Sequence, residues 1–129
     1  MSFGANRIAG VLAWLVVAMQ AGFGALEMFA PECVFHLVFA SSYDTTSGSP
    51  IWVETGKLAR NMGLYNWFLA VGLLLSQTGR LGGAPTTQFF LLCVAVAGAF
   101  GLLSVGPQIA FGAQLGLGLL TFVLFLRRS

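Results

Sequence analysis

Four apolar stretches, about Ile8 to Phe29, Thr55 to Ser76, Thr86 to Val105 and Gln108 to Leu126, take up most of this chain of 129 residues. A hydrocarbon layer of ~30 Å takes about 20 helical residues to cross, close to the length of each stretch. Lipid offers no partner for backbone N–H and C=O groups, so a spanning segment is either a helix or part of a closed barrel. Barrel strands alternate apolar and polar residues, and a run such as Gly10 to Leu26 does not. With 57% hydrophobic and only 8% charged residues, the chain lacks the polar surface of a water-soluble domain. The expectation is an all-α, integral membrane four-helix bundle, a single transmembrane domain over residues 1–129 that passes several times through the cell membrane.

Breaks between the stretches are chemically legible. Ala30-Pro31 ends the first, Gln77 to Pro85 makes a glycine-rich turn after the second, and Gly106-Pro107 separates the third from the fourth. The first stretch has Glu27 at its far end and leads into more membrane, so it reads as a span and not as a cleaved leader. Residues Glu32 to Val53 form the longest connection. Cys33 to Ala40 is apolar enough for a short interfacial helix carrying His36, and Ser41 to Pro50 reads as a flexible loop. Arg7, Arg80, Arg127 and Arg128 fall on one side of the spans, Lys57 and Arg60 on the other. Both termini are therefore expected in the cytoplasm, with Glu27, Glu32, Asp44 and Glu54 toward the opposite face.

Six basic and four acidic residues do not make a basic face, so nucleic acid is not an expected partner. Cys33 and Cys93 are expected at different depths and unbridged. His36 is the single histidine, and no spacing suggests a metal or haem site, so no metal and no cofactor are expected. Trp14, Trp52 and Trp67 read as interfacial or lipid-facing. Gly22 to Gly24, Ala97 with Gly101, and Gly112 with Gly116 are small-residue surfaces that let membrane helices approach closely. Because four short helices bury little, a homo-oligomer is expected.

An ionisable group in a membrane helix is costly and marks a candidate site, which singles out Glu27. Gln20, Gly24 and Glu27 share one face of the first helix. On the second, Lys57, Asn61 and Tyr65 recur every four residues, with Phe68 and Gly72 continuing the stripe. Meeting in the outer half of the bundle, these strips would bring Glu27 to Asn61, Tyr65 or Asn66, as proton donor or acceptor for a lipophilic ligand. The structural alternative holds Glu27 at headgroup level, paired with Lys57 or Arg60, and uses the amides as interhelical glue. Gln20 and Gln114 are further polar groups, read as helix-to-helix hydrogen bonds or as part of the same cavity.

The run from Glu54 to Leu73, with Asn61 and Gly63-Leu64-Tyr65-Asn66 inside it, resembles the signature of the domain-of-unknown-function 1304 family of small bacterial membrane proteins. Leu26-Glu27-Met28-Phe29, Val96-Ala97-Gly98 with Gly101, and Gln114 are similar to the same family, so the resemblance covers nearly the whole chain. It implies a four-helix protein of about this length in the bacterial inner membrane, and it brings no settled activity. It also implies that Glu27, Asn61, Tyr65, Asn66 and Gln114 act as one group. Ser41 to Pro50 departs from the family pattern and looks inserted.

Three functions follow as expectations. The first is a cofactor-independent intramembrane isomerase or epoxide-opening hydrolase for a lipophilic small molecule. In it Glu27, Tyr65 and Asn61 are catalytic, and Asn66, Gln114 and Gln20 bind substrate. The second is a proton-coupled exporter, by analogy with small multidrug-resistance transporters, which also place a glutamate in their first helix. The third is an accessory subunit of a larger membrane complex, which would use only the glycine-lined surfaces.

Overall fold

The computed structural model describes residues 3–34 and 50–127, and among these the secondary structure is helical, without strands. Four long helices follow one another: Phe3–Phe29, Pro50–Gln77, Ala84–Ser104 and Ile109–Leu126. The first ends where Ala30-Pro31 predicts, and helical conformation resumes over residues 31–34. The expected interfacial helix, His36 and the Ser41 to Pro50 loop fall largely or wholly on 35–49, outside the described residues. The third helix starts at Ala84, so Pro85 sits inside its first turn instead of in the preceding loop. Proline is tolerated there because a first-turn N–H has no intrahelical acceptor to lose.

Three of these helices are long and apolar enough to cross a membrane: Arg7–Phe29, Ala84–Ser104 and Ile109–Leu126. The second is the longest, at 28 residues, but is not in that set. Its first half carries Glu54, Lys57, Arg60 and Asn61, and Asn66 follows just beyond; together they dilute the apolar run. The second expected span is thus present as a helix with an apolar half only.

The chain divides into two compact units, Met1–Met19 with Leu69–Ser129, and Gln20–Phe68. In the first unit Ala9, Ala13 and Val16 of the first helix form a buried apolar core with Leu73, Leu91, Val94 and Phe125. Small side chains, Ala9 and Ala13, on the first helix leave room for the leucines opposite.

The third and fourth helices meet backbone to backbone. A Cβ on Gly98 would stand 2.7 Å from the Phe111 carbonyl oxygen and 2.9 Å from Gln114 Cβ, and one on Gly118 3.0 Å from the Ala95 nitrogen. Gly101 gives its space to the Phe111 ring. By contrast Gly112 and Gly116, expected to pack, have nothing within 4 Å, and Ala97 is exposed. The contacting residues Phe111, Gln114, Leu115 and Gly118 recur at helical spacing. The Gly112/Gly116 pair lies one residue, about 100°, away from that face.

Several polar groups in this unit are satisfied locally. Thr121 and Ser104 return their hydroxyl protons to carbonyls one turn earlier, Leu117 and Phe100. Gln88 donates to the Phe125 carbonyl at 3.1 Å and so caps the end of the fourth helix, where backbone acceptors run out. Buried Thr87 Oγ1 lies 2.9 Å from Ser76 Oγ and 3.1 Å from the Gly83 carbonyl, and Ser76 donates to Leu73 at 2.9 Å. This chain of hydroxyls ties the end of the second helix to the start of the third. Thr87→Val keeps the shape and removes the link, and is expected to lower stability by about 1 kcal/mol. Thermal unfolding in detergent micelles measures it, and no change in midpoint would show that the link contributes nothing.

Candidate functional site

The second unit is built around a crossing of glycines. A Cβ on Gly24 of the first helix would lie 2.8 Å from the Gly63 carbonyl oxygen and run into the Trp67 indole. A Cβ on Gly63 would lie 2.8 Å from the Gly24 carbonyl oxygen, 2.6 Å from Met28 Cγ and 3.0 Å from Glu27 Cβ. Each glycine therefore accepts the other's backbone, and neither position tolerates a side chain in this arrangement. Trp67 lies over the vacated space, donates from Nε1 to the Ala21 carbonyl at 3.2 Å, and meets Phe29 edge-on at 6.1 Å. It is a clamp on the crossing as well as a partly exposed aromatic. Trp67→Phe is expected to cost roughly 1–2 kcal/mol through the lost hydrogen bond and ring area. Thermal unfolding is again the measurement, and an unchanged midpoint would remove Trp67 from the crossing's support.

That close approach sets the distance between the two polar side chains beside it. Asn66 Nδ2 donates to Glu27 Oε2 at 2.6 Å, and both residues are half-buried. Among the described residues Glu27 Oε1 takes no hydrogen bond, so the carboxylate is held by one oxygen and offers the other. The cationic partners considered from sequence are elsewhere. Lys57 pairs with Glu54 at 2.7 Å, one turn back on its own helix and largely exposed, and Arg60 is exposed. An amide hydrogen bond orients a carboxylate without neutralising it, whereas a lysine or arginine partner would do both.

Of the other candidates, Gln20 is fully buried in this unit, on the same face of the first helix as Gly24 and Glu27. Asn61 is exposed. Tyr65 is 58% exposed, its ring edge-on to Phe68 at 6.4 Å. Gln114 belongs to the other unit, buried at the contact with Gly98. The structure thus joins Glu27 directly to Asn66, and leaves Asn61 and Tyr65 on an exposed strip of the second helix.

The face of that helix turned to the first is Gly63, Asn66 and Trp67, at spacings of three and four. The more conspicuous polar stripe through Lys57, Asn61 and Tyr65 is exposed instead, and Trp67, expected to be interfacial or lipid-facing, packs on the crossing while remaining partly exposed. A glycine three residues before a polar residue and four before an aromatic was the available signal. Cys33 and Cys93 are free thiols. Among the described residues no three His, Cys, Asp or Glu side chains converge as metal ligands would.

Comparison with protein families matches residues 14–126 to a family described as protein of unknown function (DUF1304). Neither the curated proteins nor the solved structures contain a match.

Proposed function

The chain belongs to the DUF1304 family, whose description carries no activity, and from that premise we propose that it is a membrane-embedded acid–base enzyme acting on a lipophilic small molecule. The observation that carries this reading is the 2.6 Å hydrogen bond from Asn66 to one oxygen of Glu27, with no bond to the other oxygen among the described residues. A carboxyl group held in one orientation, partly withdrawn from water and without a cationic partner among the described residues, is equipped to move a proton to or from a bound molecule. Apolar surroundings select a substrate that partitions into lipid.

Isomerisation of an unsaturated ketone illustrates the chemistry. Glu27 Oε1 takes a proton from the carbon next to the carbonyl, the electron pair moves into the conjugated enolate, and the same carboxyl returns a proton at the far carbon. Epoxide opening is the related case: Glu27 in its acid form protonates the ring oxygen as water attacks carbon and the C–O bond breaks, and the added water then gives a proton back to the Glu27 carboxylate. In both, Tyr65 and Asn61, from the exposed strip of the second helix, are the donors proposed to reach the developing oxyanion of a bound substrate, and Gln20 is proposed to bind it.

The membrane setting is part of the proposal: four crossings, both termini cytoplasmic, the polar first half of the second helix at headgroup level. A helix of 28 residues is about 42 Å long, enough to combine a crossing with an interfacial segment. Glu27 lies two residues from the end of the first helix, a position that suits a site opening at the membrane surface. A coupling site for alternating access belongs near the midplane.

The test uses the full chain in lipid nanodiscs with two probes, a β,γ-unsaturated steroid ketone and a lipophilic epoxide. Conversion that disappears in Glu27→Gln supports the reading. Absence of conversion with both probes in the wild-type protein would count against it and leave the pair a structural link.

A further inference from the structure

In the first unit a cavity of about 360 Å³ opens where several helix ends come together. Trp14 of the first helix and Phe125 of the fourth supply aromatic surface, and Ser76, Gln77, Ala84 and Thr87 line the side formed by the second and third helices. That volume falls in the range of small-ligand sites, which combine apolar walls with a few placed polar groups.

Its polar atoms are not equivalent. Ser76 and Thr87 have each other and the Leu73 and Gly83 carbonyls as partners. Gln77 Nε2 is buried and has no acceptor. A buried amide donor without an acceptor is unfavourable, so the site asks for an oxygen that accepts a hydrogen bond. The turn beside it is kept bare. Gly79 and Gly83 hold φ of 73° and 66°, and a Cβ at either would meet nothing within 4 Å. Side chains are thus excluded by backbone conformation from space that is otherwise open.

Depth and charge narrow the ligand. The walls belong to the start of Arg7–Phe29, the start of Ala84–Ser104 and the end of Ile109–Leu126; if these helices cross a bilayer, their ends lie near its glycerol esters. Arg7, Arg80 and Arg127 are exposed on the segments that flank these same ends.

We propose that this cavity binds one phospholipid, an ester carbonyl accepting from Gln77, the chain start against Trp14 and Phe125, and the phosphate toward Arg80. The site uses neither Glu27 nor Asn66 and stands apart from the enzymatic reading.

Native mass spectrometry of the full chain, released from detergent with dioleoyl phosphatidylglycerol added, tests it. The wild-type protein is expected to keep a single lipid adduct. Gln77→Leu weakens that adduct about tenfold, the size of one buried hydrogen bond. Ala84→Phe, a change at an exposed residue on the cavity wall, removes it by occupation and covers the case in which Gln77→Leu does not fold. Equal lipid binding by the wild-type protein and both folded variants overturns the proposal. So does complete displacement of the lipid by excess inorganic phosphate, which would assign the cavity to a free phosphate.

Discussion

Glu27→Gln is expected to lower turnover of the probe substrates by about 10²–10⁴-fold, the usual contribution of a positioned proton-transfer group, while leaving the unfolding midpoint nearly unchanged. The two outcomes separate because glutamine copies the shape of glutamate. Its amide oxygen can still accept the Asn66 Nδ2 hydrogen bond now made at 2.6 Å to Glu27 Oε2, so the interhelical contact survives while the exchangeable carboxyl proton is gone.

Asn66→Leu makes the complementary change. The carboxyl remains but loses its orienting partner, so activity falls by a smaller factor and KM rises with it. In the double variant the two losses are not additive, since Asn66 acts through Glu27. A structural link predicts a different pattern, with a midpoint that drops in Asn66→Leu alone and turnover that follows only the folded fraction in both variants.

The largest effect on stability is expected at Gly98. Gly98→Val places a branched side chain against the Phe111 carbonyl oxygen, 2.7 Å from the new Cβ, and against the backbone nitrogen of Leu115. Neither neighbour can swing away, because both belong to the main chain of the fourth helix, so that helix must move as a body. Overpacking of this kind costs about 3 kcal/mol, a fall of roughly 10 °C in the unfolding midpoint for a chain of this size. Gly112→Val on the same helix is the control. With nothing within 4 Å of its Cβ, it is expected to change stability by less than about 0.5 kcal/mol. If the two variants unfold alike in micelles, the Gly98 contact is not what joins these helices.

The contrast between Gly98 and Gly112 shows how far the sequence reaches. Apolar length and proline-glycine punctuation located four helices, and the amides and charges of the second explain why only three are apolar enough to span. Helical spacing also placed Gln20, Gly24 and Glu27 on one face, and that face holds the crossing with Gly63. The choice among Asn61, Tyr65 and Asn66 as the partner of Glu27 was not legible, nor was the choice among the glycines.

A rotation of about 100° per residue determines which side chains share a face, and it is a property of one helix alone. Which face meets a neighbour depends on how two helices cross, and therefore on all the contacts along both. Tertiary structure alone turned Gly63, Asn66 and Trp67 inward, left Asn61 and Tyr65 exposed, and assembled the cavity beside Gln77 from four separate stretches of chain.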